Sequence, residues 1–496
     1  MAKPRSQYVC QECGAVAAKW AGRCEACGAW NALVEESVGG TPGGLSGGGL
    51  SGRGRAASKI HFVDLESESQ PRPRLVCGLG EFDRVTGGGL VPGSAVLVAG
   101  DPGIGKSTLL LQVAARVAPH LESRGAKGES SCAYISGEES IDQVRLRARR
   151  MGLEKAPVQL ASATSVRDMV ASLDHPNGPY VVIVDSVQTL YIDSLESAPG
   201  TVSQVRAAAQ ELIRLAKKRG FCLLLVGHVT KEGLIAGPKV LEHMVDTVLT
   251  FEGDRGHQFR ILRAVKNRFG PTDEIGVFEM TDEGLEEVAN PSALFLAERR
   301  GNVAGAAVFA GLEGTRPLLV EIQALVSASP LATPRRAVVG WDSGRLAMVL
   351  AVLEARCGLA LAGQEVYLNV AGGLRIGEPA ADLAVAAALV SAASGQEVPE
   401  QTVIFGEIGL SGEIRAVSQV DLRLKEAAKL GFTRAWIAPR RSQKKGGRKA
   451  GGSPAGASGL TVEEIPHLQD LVARLAAPGE APPQQGGGRS GRRQAY

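Results

Sequence analysis

The stretch Gly100-Asp-Pro-Gly-Ile-Gly105-Lys106-Ser107-Thr108 decides the fold of this chain. It matches the pattern G-x-x-x-x-G-K-[ST], in which glycines let backbone amides approach a phosphate group. An apolar run of strand length, Ala95-Val-Leu-Val-Ala99, precedes it, and a helical pattern of apolar residues follows it. A loop between strand and helix faces the free N–H groups and positive dipole end of that helix. The alternative is a chance glycine-rich turn, which the complete motif between strand and helix disfavours.

The loop predicts a site for ATP and Mg²⁺. The expected nucleotide-binding residues are Gly100, Asp101, Pro102, Gly103, Ile104, Gly105, Lys106, Ser107 and Thr108. Lys106 can reach the β- and γ-phosphates, and the Ser107 hydroxyl can bind Mg²⁺. Downstream, the run Tyr180-Val-Val-Ile-Val-Asp185 has the continuous apolar character of a buried parallel strand. Asp185 ends this strand, so we expect it to lie beside the loop and hold the Mg²⁺ shell.

Two further apolar runs end in polar residues. The run Cys132-Ala-Tyr-Ile-Ser136 is followed by Glu138 and Glu139, and a carboxylate there could orient or deprotonate the attacking water. A solvated turn or helix start is an equal alternative for both glutamates. The run Leu223-Leu-Leu-Val-Gly227 is followed by His228, which could sense the γ-phosphate or serve a structural role.

The order of these motifs resembles that of the RecA-like ATPases. The pentapeptide Lys266-Asn-Arg-Phe-Gly270 resembles the signature of the bacterial RadA (Sms) DNA-repair proteins. This resemblance implies that Glu138 is the catalytic glutamate, and that Lys266 and Arg268 act on ATP held by a neighbouring subunit. A cation supplied in trans can stabilise developing phosphoryl charge. A basic turn after a strand is the alternative for the pentapeptide.

The same resemblance implies an ATP-driven motor of recombinational DNA repair. Such a protein would bind single-stranded and branched DNA, work alongside the RecA recombinase, and form a homohexamer. The main alternative is an ATP-switched scaffold that loads or remodels a recombinase without moving along DNA. An ATP-dependent protease and a signalling ATPase of the KaiC type agree less well with the motifs.

Two Cys-x-x-Cys pairs near the start of the chain predict a zinc site. Its ligands would be Cys10, Cys13, Cys24 and Cys27. Four thiolates in two close pairs suit tetrahedral zinc, with an iron or redox site as the alternative. The chain starts without the apolar segment of a signal peptide, so we expect a cytoplasmic protein, where metal is favoured over disulfide.

The same segment contains positively charged residues and two tryptophans. These residues are Lys19, Trp20, Arg23 and Trp30. In so small a module we expect them to complete a small core and its solvated rim. A contact with DNA or a protein partner is the alternative.

A second pattern begins after residue 290, where apolar stretches alternate with glycine-rich turns. It predicts a separate α/β domain that resembles the proteolytic domain of Lon proteases. The stretch Glu378-Pro-Ala-Ala-Asp382 stands where Lon proteases carry Gly-Pro-Ser-Ala-Gly, so Ala380 replaces the nucleophilic serine. An alignment that rests on spacing places Asp421 at the Lon lysine. Without hydroxyl and base there is no Ser–Lys chemistry, and we expect a scaffold rather than a protease.

We therefore expect an α/β protein with a RecA-like core built on a parallel sheet. The expected regions are a zinc finger at 1–36, a flexible glycine-rich linker at 37–58, an ATPase domain at 59–290, a Lon-protease-like scaffold at 291–476 with a basic loop at 440–459, and a disordered tail at 477–496.

The composition limits how DNA can be bound. A net charge of +3 excludes binding by bulk basicity, so contacts must use local patches. Aromatic residues make up 4% of the chain, which disfavours base stacking over a large platform and favours backbone contact. The expected DNA loops follow Asp185 (186–204) and His228 (230–242), and Lys231 and Lys239 are the cations of the second. No apolar run reaches membrane-spanning length without charge or turn residues.

Overall fold

A computed structural model gives the fold. It describes residues 6–10, 15–25, 28, 30, 33–37, 73–123, 132–228, 240–253, 258–272, 274–296, 303–331, 333–440 and 459–476. Two predicted zinc ligands (Cys13 and Cys27), nearly all of the linker, the residues 230–239 with Lys231 and Lys239, most of the basic loop and the whole tail lie outside the described residues. The chain divides into two compact units, Met1–Val288 and Ala289–Tyr496.

The N-terminal segment forms a small antiparallel sheet of three strands. The strands are β1 (Ser6–Cys10), β2 (Val16–Ala17) and β3 (Leu33–Ser37), and β1 is the central strand. Its core contains Cys10, Cys24 and Leu33, with Tyr8 and three alanines packed against them. Sulfur atoms therefore take the place that large apolar side chains fill in a larger domain.

A nine-stranded sheet is the centre of the first unit. Its strands are β4 (Ala95–Gly100), β5 (Cys132–Ser136), β6 (Val158–Ser162), β7 (Val181–Asp185), β8 (Cys222–His228), β9 (Thr247–Glu252), β10 (Phe259–Asn267), β11 (Ile275–Thr281) and β12 (Gly284–Glu287). Their order is β12-β11-β10-β9-β4-β8-β7-β5-β6. The strands from β9 to β6 run parallel, and β10, β11 and β12 extend the sheet with antiparallel pairing.

Helices cover both faces of this sheet. They are α1 (Gly80–Val85), α2 (Lys106–Ser123), α3 (Ile141–Arg150), α4 (Val166–Leu173), α5 (Val202–Arg219) and α6 (Val240–Met244). Strand β4 shows the consequence, since Val96 and Val98 enter one buried cluster while Ala95 and Leu97 enter the other. A strand buried on both faces has a continuous apolar sequence.

The second unit contains a mixed seven-stranded sheet and a two-stranded ribbon. Its strands are β13 (Ala306–Glu313), β14 (Arg316–Ala328), β15 (Arg336–Val339), β16 (Gln364–Val370), β17 (Thr402–Phe405), β18 (Glu407–Ile408), β19 (Ile414–Arg415), β20 (Arg434–Ile437) and β21 (Thr461–Glu464). The large sheet has the order β15-β16-β14-β13-β17-β20-β21, and β18 pairs with β19.

The helices of the second unit are 5 to 15 residues long, and one of them is central. They are α7 (Pro291–Phe295), α8 (Ser343–Cys357), α9 (Asp382–Ser394), α10 (Val420–Lys429) and α11 (Leu468–Arg474). Helix α9 is buried along most of its length, and its alanines allow close packing on β13 and β14. The predicted α/β fold is confirmed in both units. Among the described residues, no helix is both long and apolar enough to cross a membrane.

Candidate functional site

The glycine-rich loop lies at the carboxyl end of β4 and leads directly into α2. Two of its glycines have left-handed backbone angles, with φ of +79° at Gly103 and +112° at Gly105. A Cβ atom at Gly100 would lie 2.3 Å from the Phe251 carbonyl oxygen, and one at Gly105 would lie 2.6 Å from the methyl carbon of Met280. The loop conformation therefore requires glycine both for backbone angle and for space.

Lys106 begins α2 and turns its side chain back over the loop. Its ammonium donates hydrogen bonds to the carbonyl oxygens of Gly100 (2.7 Å) and Asp101 (2.8 Å), and the residue is only 4% exposed. Burial lowers the pKa of Lys106 to about 8, although Asp185, Asp101 and Glu138 act in the opposite direction. A buried ammonium among carbonyl groups is a strong site for an anion such as phosphate.

Asp185 ends β7, which is separated from β4 by one strand, β8. Its carboxylate is buried and accepts a hydrogen bond of 2.5 Å from the Tyr134 hydroxyl of β5. Burial and the nearby Asp185 raise the pKa of Tyr134 well above its usual range, so the phenol stays a neutral donor. Carboxylate and hydroxyl oxygens are the ligands that Mg²⁺ prefers, and Asp185 with the half-buried Ser107 fits that requirement.

The two adjacent glutamates after β5 have different partners. Glu138 is exposed and accepts a hydrogen bond of 2.5 Å from the hydroxyl of Ser186, the residue that follows Asp185. Glu139 forms an ion pair with Arg147 of α3, and its N–H donates to the Ser136 hydroxyl. Helix α3 begins only at Ile141, so Glu138 lies on the turn before the helix. Of the pair, Glu138 is therefore the one placed beside Asp185 and open to water.

Lys266 and Arg268 lie at the other edge of the same sheet. Lys266 donates to the carbonyl oxygens of Glu242 (2.5 Å) and Val245 (2.9 Å), and burial together with Arg268 lowers the pKa of its ammonium. Arg268 is half exposed and forms a 3.0 Å ion pair with the buried carboxylate of Asp246. Asp246 in turn accepts a hydrogen bond from the backbone N–H of Ala95, the first residue of β4.

The register shows that these cations are far from their own loop. Lys266 pairs with Val248 in β9, and Val248 pairs with Leu97 near the start of β4. The glycine-rich loop begins at the opposite end of β4, at Gly100. Lys266 thus lies two strands away from β4 and three residues before the level of Gly100, roughly 10 Å at 3.3 Å per residue. Arg268 pairs with Asp246 beside Ala95, five residues or roughly 16 Å before Gly100. Lys266 and Arg268 therefore cannot reach a phosphate bound at the loop of the same chain.

The other expected contact loops are only partly described. His228 is the last residue of β8 and pairs in register with Gly100, but its side chain lies outside the described residues. The segment 186–204 is held by the buried side chain of Gln204. Its Oε1 accepts a hydrogen bond from the Ile192 N–H, and its Nε2 donates one to the Ile192 carbonyl oxygen. This segment is thus tied to the start of α5.

Two of the four predicted zinc ligands, Cys10 and Cys24, lie among the described residues. Cys10 and Cys24 are both buried in one small core. The N–H of Cys10 donates to the Ala15 carbonyl, and the Gly28 N–H donates to the Cys24 carbonyl, each at 2.9 Å. These hydrogen bonds hold the backbone at each cysteine, and two buried thiols in one core fit a zinc ion.

The segment that aligns with the nucleophile motif of Lon proteases carries two carboxylates, and both form ion pairs. Ala380 is buried, and two carboxylates flank it within the same segment. Glu378 forms an ion pair with the fully buried Arg423 of α10, and Asp382 forms a bidentate pair with Arg345 of α8. Burial raises the pKa of Asp382 despite the opposing effect of Arg345.

Helix α10 also determines what faces this segment. Asp421 is exposed, whereas Arg423, two residues later, is the side chain that turns inward. Arg423 also donates to the carbonyl oxygens of Ala310 (2.8 Å) and Ser418 (3.1 Å). The side chain that sequence spacing placed at the Lon lysine therefore points to solvent, and a buried arginine takes the inward position.

Comparisons with known proteins match three parts of the chain to family models. Residues 8–35 match a rubredoxin metal binding domain, residues 79–234 match an AAA domain, and residues 345–441 match subunit ChlI of Mg-chelatase. The first match spans all four predicted cysteine ligands, and the second spans the glycine-rich loop, Glu138 and Asp185. The matches support zinc in the first region and nucleotide binding in the second.

Relatives match nearly the whole chain. DNA repair protein RadA of Brucella abortus (strain 2308) is 56% identical over 493 residues, which cover 97% of this chain and 99% of that protein. The chain belongs to the RadA family of DNA repair proteins. RadA of Rickettsia felis is 51% identical over 88% of this chain and 94% of its own length, and RadA of Bacillus subtilis (strain 168) is 49% identical over 88% and 92%.

Solved structures also resemble part of this RadA-family chain. The RadB recombinase aligns with 43% of this chain and 99% of its own, at 23% identity and a TM-score of 0.34. The ATPase domain of G40P aligns with 45% of this chain and 94% of its own, at 13% identity and a TM-score of 0.38. The predicted resemblance to the RadA family is thus confirmed by the relatives, independently of these partial alignments.

Several residues of the site could not be found from motifs. Tyr134, Ser186 and Asp246 each contact a predicted site residue but belong to no recognised pattern. Tyr134 looks like an ordinary residue of a buried strand, and only the pairing of β5 with β7 places its hydroxyl on Asp185. Asp246 had one available signal, since it is a lone carboxylate immediately before an apolar strand.

Proposed function

We propose that this protein is an ATP-driven motor that acts on DNA in recombinational repair. It would process branched recombination intermediates by branch migration alongside a RecA-type recombinase. The observation that carries the proposal is the placement of two sets of side chains at opposite edges of one sheet. Lys106, Glu138 and Asp185 lie at the loop edge, and Lys266 and Arg268 lie at the far edge.

The loop edge supports hydrolysis within one chain. A phosphate would replace the two carbonyl oxygens that now accept from Lys106, and would bring the pKa of this ammonium back up. Glu138 would hold and deprotonate the attacking water, and the Ser186 hydroxyl would orient its carboxylate. Ser107 and Asp185 would hold Mg²⁺, which supplies positive charge for the phosphates.

The far edge supports action between subunits. Arg268 is half exposed, and its contact with Asp246 holds the guanidinium at the surface. In a ring of identical chains, this edge of one subunit could face the loop edge of the next. Lys266 and Arg268 would then stabilise phosphoryl charge in the neighbour's site, which couples hydrolysis to movement between subunits. We infer a homohexamer as the form in which this occurs.

A two-part experiment tests the motor. Hydrolysis is measured with and without single-stranded DNA while native mass spectrometry reports the assembly. Branch migration is then followed on a synthetic four-way junction with ATP, ADP and no nucleotide. We expect DNA to stimulate hydrolysis and ATP alone to drive migration. DNA-stimulated hydrolysis without any migration on the junction would instead support the ATP-switched scaffold. A hydrolysis rate that DNA does not change would contradict both the motor and the scaffold.

The flanking regions receive roles that agree with this function. We infer that Cys10, Cys13, Cys24 and Cys27 bind one zinc ion per chain in a finger at 1–36, ahead of a linker at 37–58. The ATPase domain would cover 59–290. The region 291–476 would be a scaffold without peptidase activity, because Ala380 has no nucleophilic oxygen. Metal analysis before and after the double change Cys24→Ser and Cys27→Ser tests the ligand set, and zinc retained in that variant would refute it.

A further inference from the structure

The two tryptophans of the cysteine module are not part of its core. The sequence suggested a small core that includes Trp20 and Trp30, but the structure leaves them 57% and 72% exposed. Cys10, Cys24 and Leu33 fill the core instead. Exposing two of the largest apolar side chains in so small a module is unfavourable unless something covers them.

The exposed rings converge on one point of the surface. A Cβ atom built on Gly22 would lie 3.9 Å from Cη2 of Trp20 and 4.0 Å from Cζ3 of Trp30. The guanidinium of Arg23 lies 5.7 Å from the centroid of the Trp30 ring, a cation–π distance. We call Trp20, Arg23 and Trp30 the aromatic platform.

The platform is held in place by the backbone of the second cysteine turn. Arg23 and Trp30 are antiparallel bridge partners on either side of that turn. The Nε atom of Arg23 donates to the Gly28 carbonyl at 3.0 Å, which fixes the guanidinium over the turn. Such pre-organisation lowers the entropy lost when a flat ligand stacks on the rings.

The other tryptophans of the chain show that exposure is specific to this module. The chain has four tryptophans, and the two outside the module, Trp341 and Trp436, are 9% and 4% exposed. The chain therefore buries tryptophan wherever a large core is present.

Size and charge indicate the occupant of the platform. Two rings and one guanidinium offer far less than the roughly 800 Å² that each partner contributes to a stable protein interface. They match one or two nucleobases, which stack on aromatic rings and on arginine. Among the described residues next to the rings in sequence, Lys19 and Arg23 are exposed cations and Glu25 is an exposed carboxylate, so the charge of these three is small. Binding here should depend on the base more than on the phosphate.

We propose that the aromatic platform binds single-stranded DNA by stacking unpaired bases on Trp20 and Trp30. This inference rests on the proposed action on DNA and adds a site outside the ATPase sheet. It also refines the expectation from composition, because few aromatic residues are sufficient when two of them are presented together at the surface.

The test uses the full-length chain and two probes of equal length and charge. One is a 5′-labelled oligothymidylate, and the other is the same backbone with abasic residues. Affinity is measured by fluorescence anisotropy for the wild type, Trp30→Ala, Trp20→Ala and Trp30→Phe. We expect each alanine variant to bind oligothymidylate about tenfold more weakly, the phenylalanine variant to lose much less, and the abasic probe to bind all proteins equally. Zinc content and thermal midpoint must equal those of the wild type, with the phenylalanine variant as the control for folding.

The possible outcomes separate the platform from the proposed function. Equal affinity of wild type and alanine variants for oligothymidylate overturns the platform but leaves DNA binding elsewhere intact. Equal losses for the oligothymidylate and abasic probes also overturn it, because the effect would then concern phosphate contact or folding. Unchanged DNA affinity combined with lost binding of a purified RecA-type recombinase would assign the rings to a protein partner and overturn the proposal. Failure of the wild type to bind either probe would contradict the action on DNA itself.

Discussion

The loop edge of the ATPase sheet and the Ala380 segment of the second unit use buried charge in opposite ways. Lys106 is buried among backbone carbonyl oxygens, and its pKa is lowered to about 8. In the second unit, the buried Arg423 pairs with Glu378, and the buried Asp382 pairs with Arg345. A charge that lacks an ionic partner within hydrogen-bond distance gains most from a ligand, whereas a charge that is already paired holds the fold together. The difference distinguishes a binding site from a scaffold.

Removing the lysine of the loop should have the largest effect. We expect Lys106→Ala to lower ATP hydrolysis at least about a thousandfold, roughly 4 kcal/mol of barrier, because Lys106 is the only residue of the loop 100–108 with a positive charge. Hydrolysis is measured by phosphate release, and circular dichroism checks the fold. Lys155→Ala, at an exposed turn after α3, is the matched control. Near-normal turnover by Lys106→Ala would remove this site from the ATPase.

The glutamate beside Ser186 should separate binding from chemistry. We expect Glu138→Gln to bind a fluorescent ATP analogue normally and to hydrolyse ATP about 10²- to 10⁴-fold more slowly, since the base is lost and the loop is kept. Glu139→Gln should stay within a few-fold of the wild type because Glu139 pairs with Arg147. Loss of nucleotide binding in Glu138→Gln, or equal effects of the two changes, would show that Glu138 has a structural role.

The charges of the second unit should matter for stability instead. Arg423→Ala leaves the Glu378 carboxylate without its ion-pair partner and removes a donor from the carbonyl oxygens of Ala310 and Ser418, so we expect the unit to lose roughly 3 to 5 kcal/mol of unfolding free energy. Calorimetry of the whole chain measures this through the transition of the second unit. Arg415→Ala removes an exposed ion pair with Glu413 and should change little. If both changes have the same small effect, the paired charges do not stabilise the scaffold.

The smallest expected effect concerns the phenol beside the strand-end carboxylate. Tyr134→Phe keeps the ring but removes the donor to Asp185, which leaves one buried carboxylate oxygen unsatisfied. We expect about a tenfold higher Mg²⁺ concentration for half-maximal binding of the ATP analogue, with unchanged binding at saturating Mg²⁺. The comparison with Tyr180→Phe, at an exposed position before β7, controls for loss of a hydroxyl. Equal Mg²⁺ dependence of the two variants would remove the positioning role of Tyr134.

Local patterns were sufficient to predict the centre of the ATPase fold. Each of its motifs is short and contiguous, so its chemistry is visible in the sequence: the glycine-rich loop and the buried strand that ends in Asp185. The same holds for the cysteine pairs of the N-terminal module. The partners of these residues depend on strand pairing. The contact of Tyr134 with Asp185 joins positions 51 residues apart, and that of Arg423 with Glu378 joins positions 45 residues apart.

The cysteine module shows a different limit of sequence interpretation. Apolar character suggested that Trp20 and Trp30 belong to its core, but the core of the described residues is built around Cys10, Cys24 and Leu33. In larger domains apolar side chains have to fill that volume themselves, which is why the same reasoning succeeded for β4 and α2. The interpretation of Asp421 also failed to predict the inward residue, because a spacing alignment cannot fix which face of α10 packs inward.

Mixing two inactive variants tests most directly whether the far edge of one chain serves the loop edge of another. Lys106→Ala disables the loop and keeps the far edge, while Arg268→Ala keeps the loop and removes the far-edge cation. The two proteins are mixed at varied ratios, exchange of subunits is confirmed by native mass spectrometry, and DNA-stimulated hydrolysis is measured. Action between subunits predicts that mixed assemblies regain hydrolysis that neither variant shows alone, with a maximum at intermediate ratios. Mixed assemblies that form and stay inactive at every ratio would contradict it, and Arg268 would then hold Asp246 at the start of β4 without acting on nucleotide.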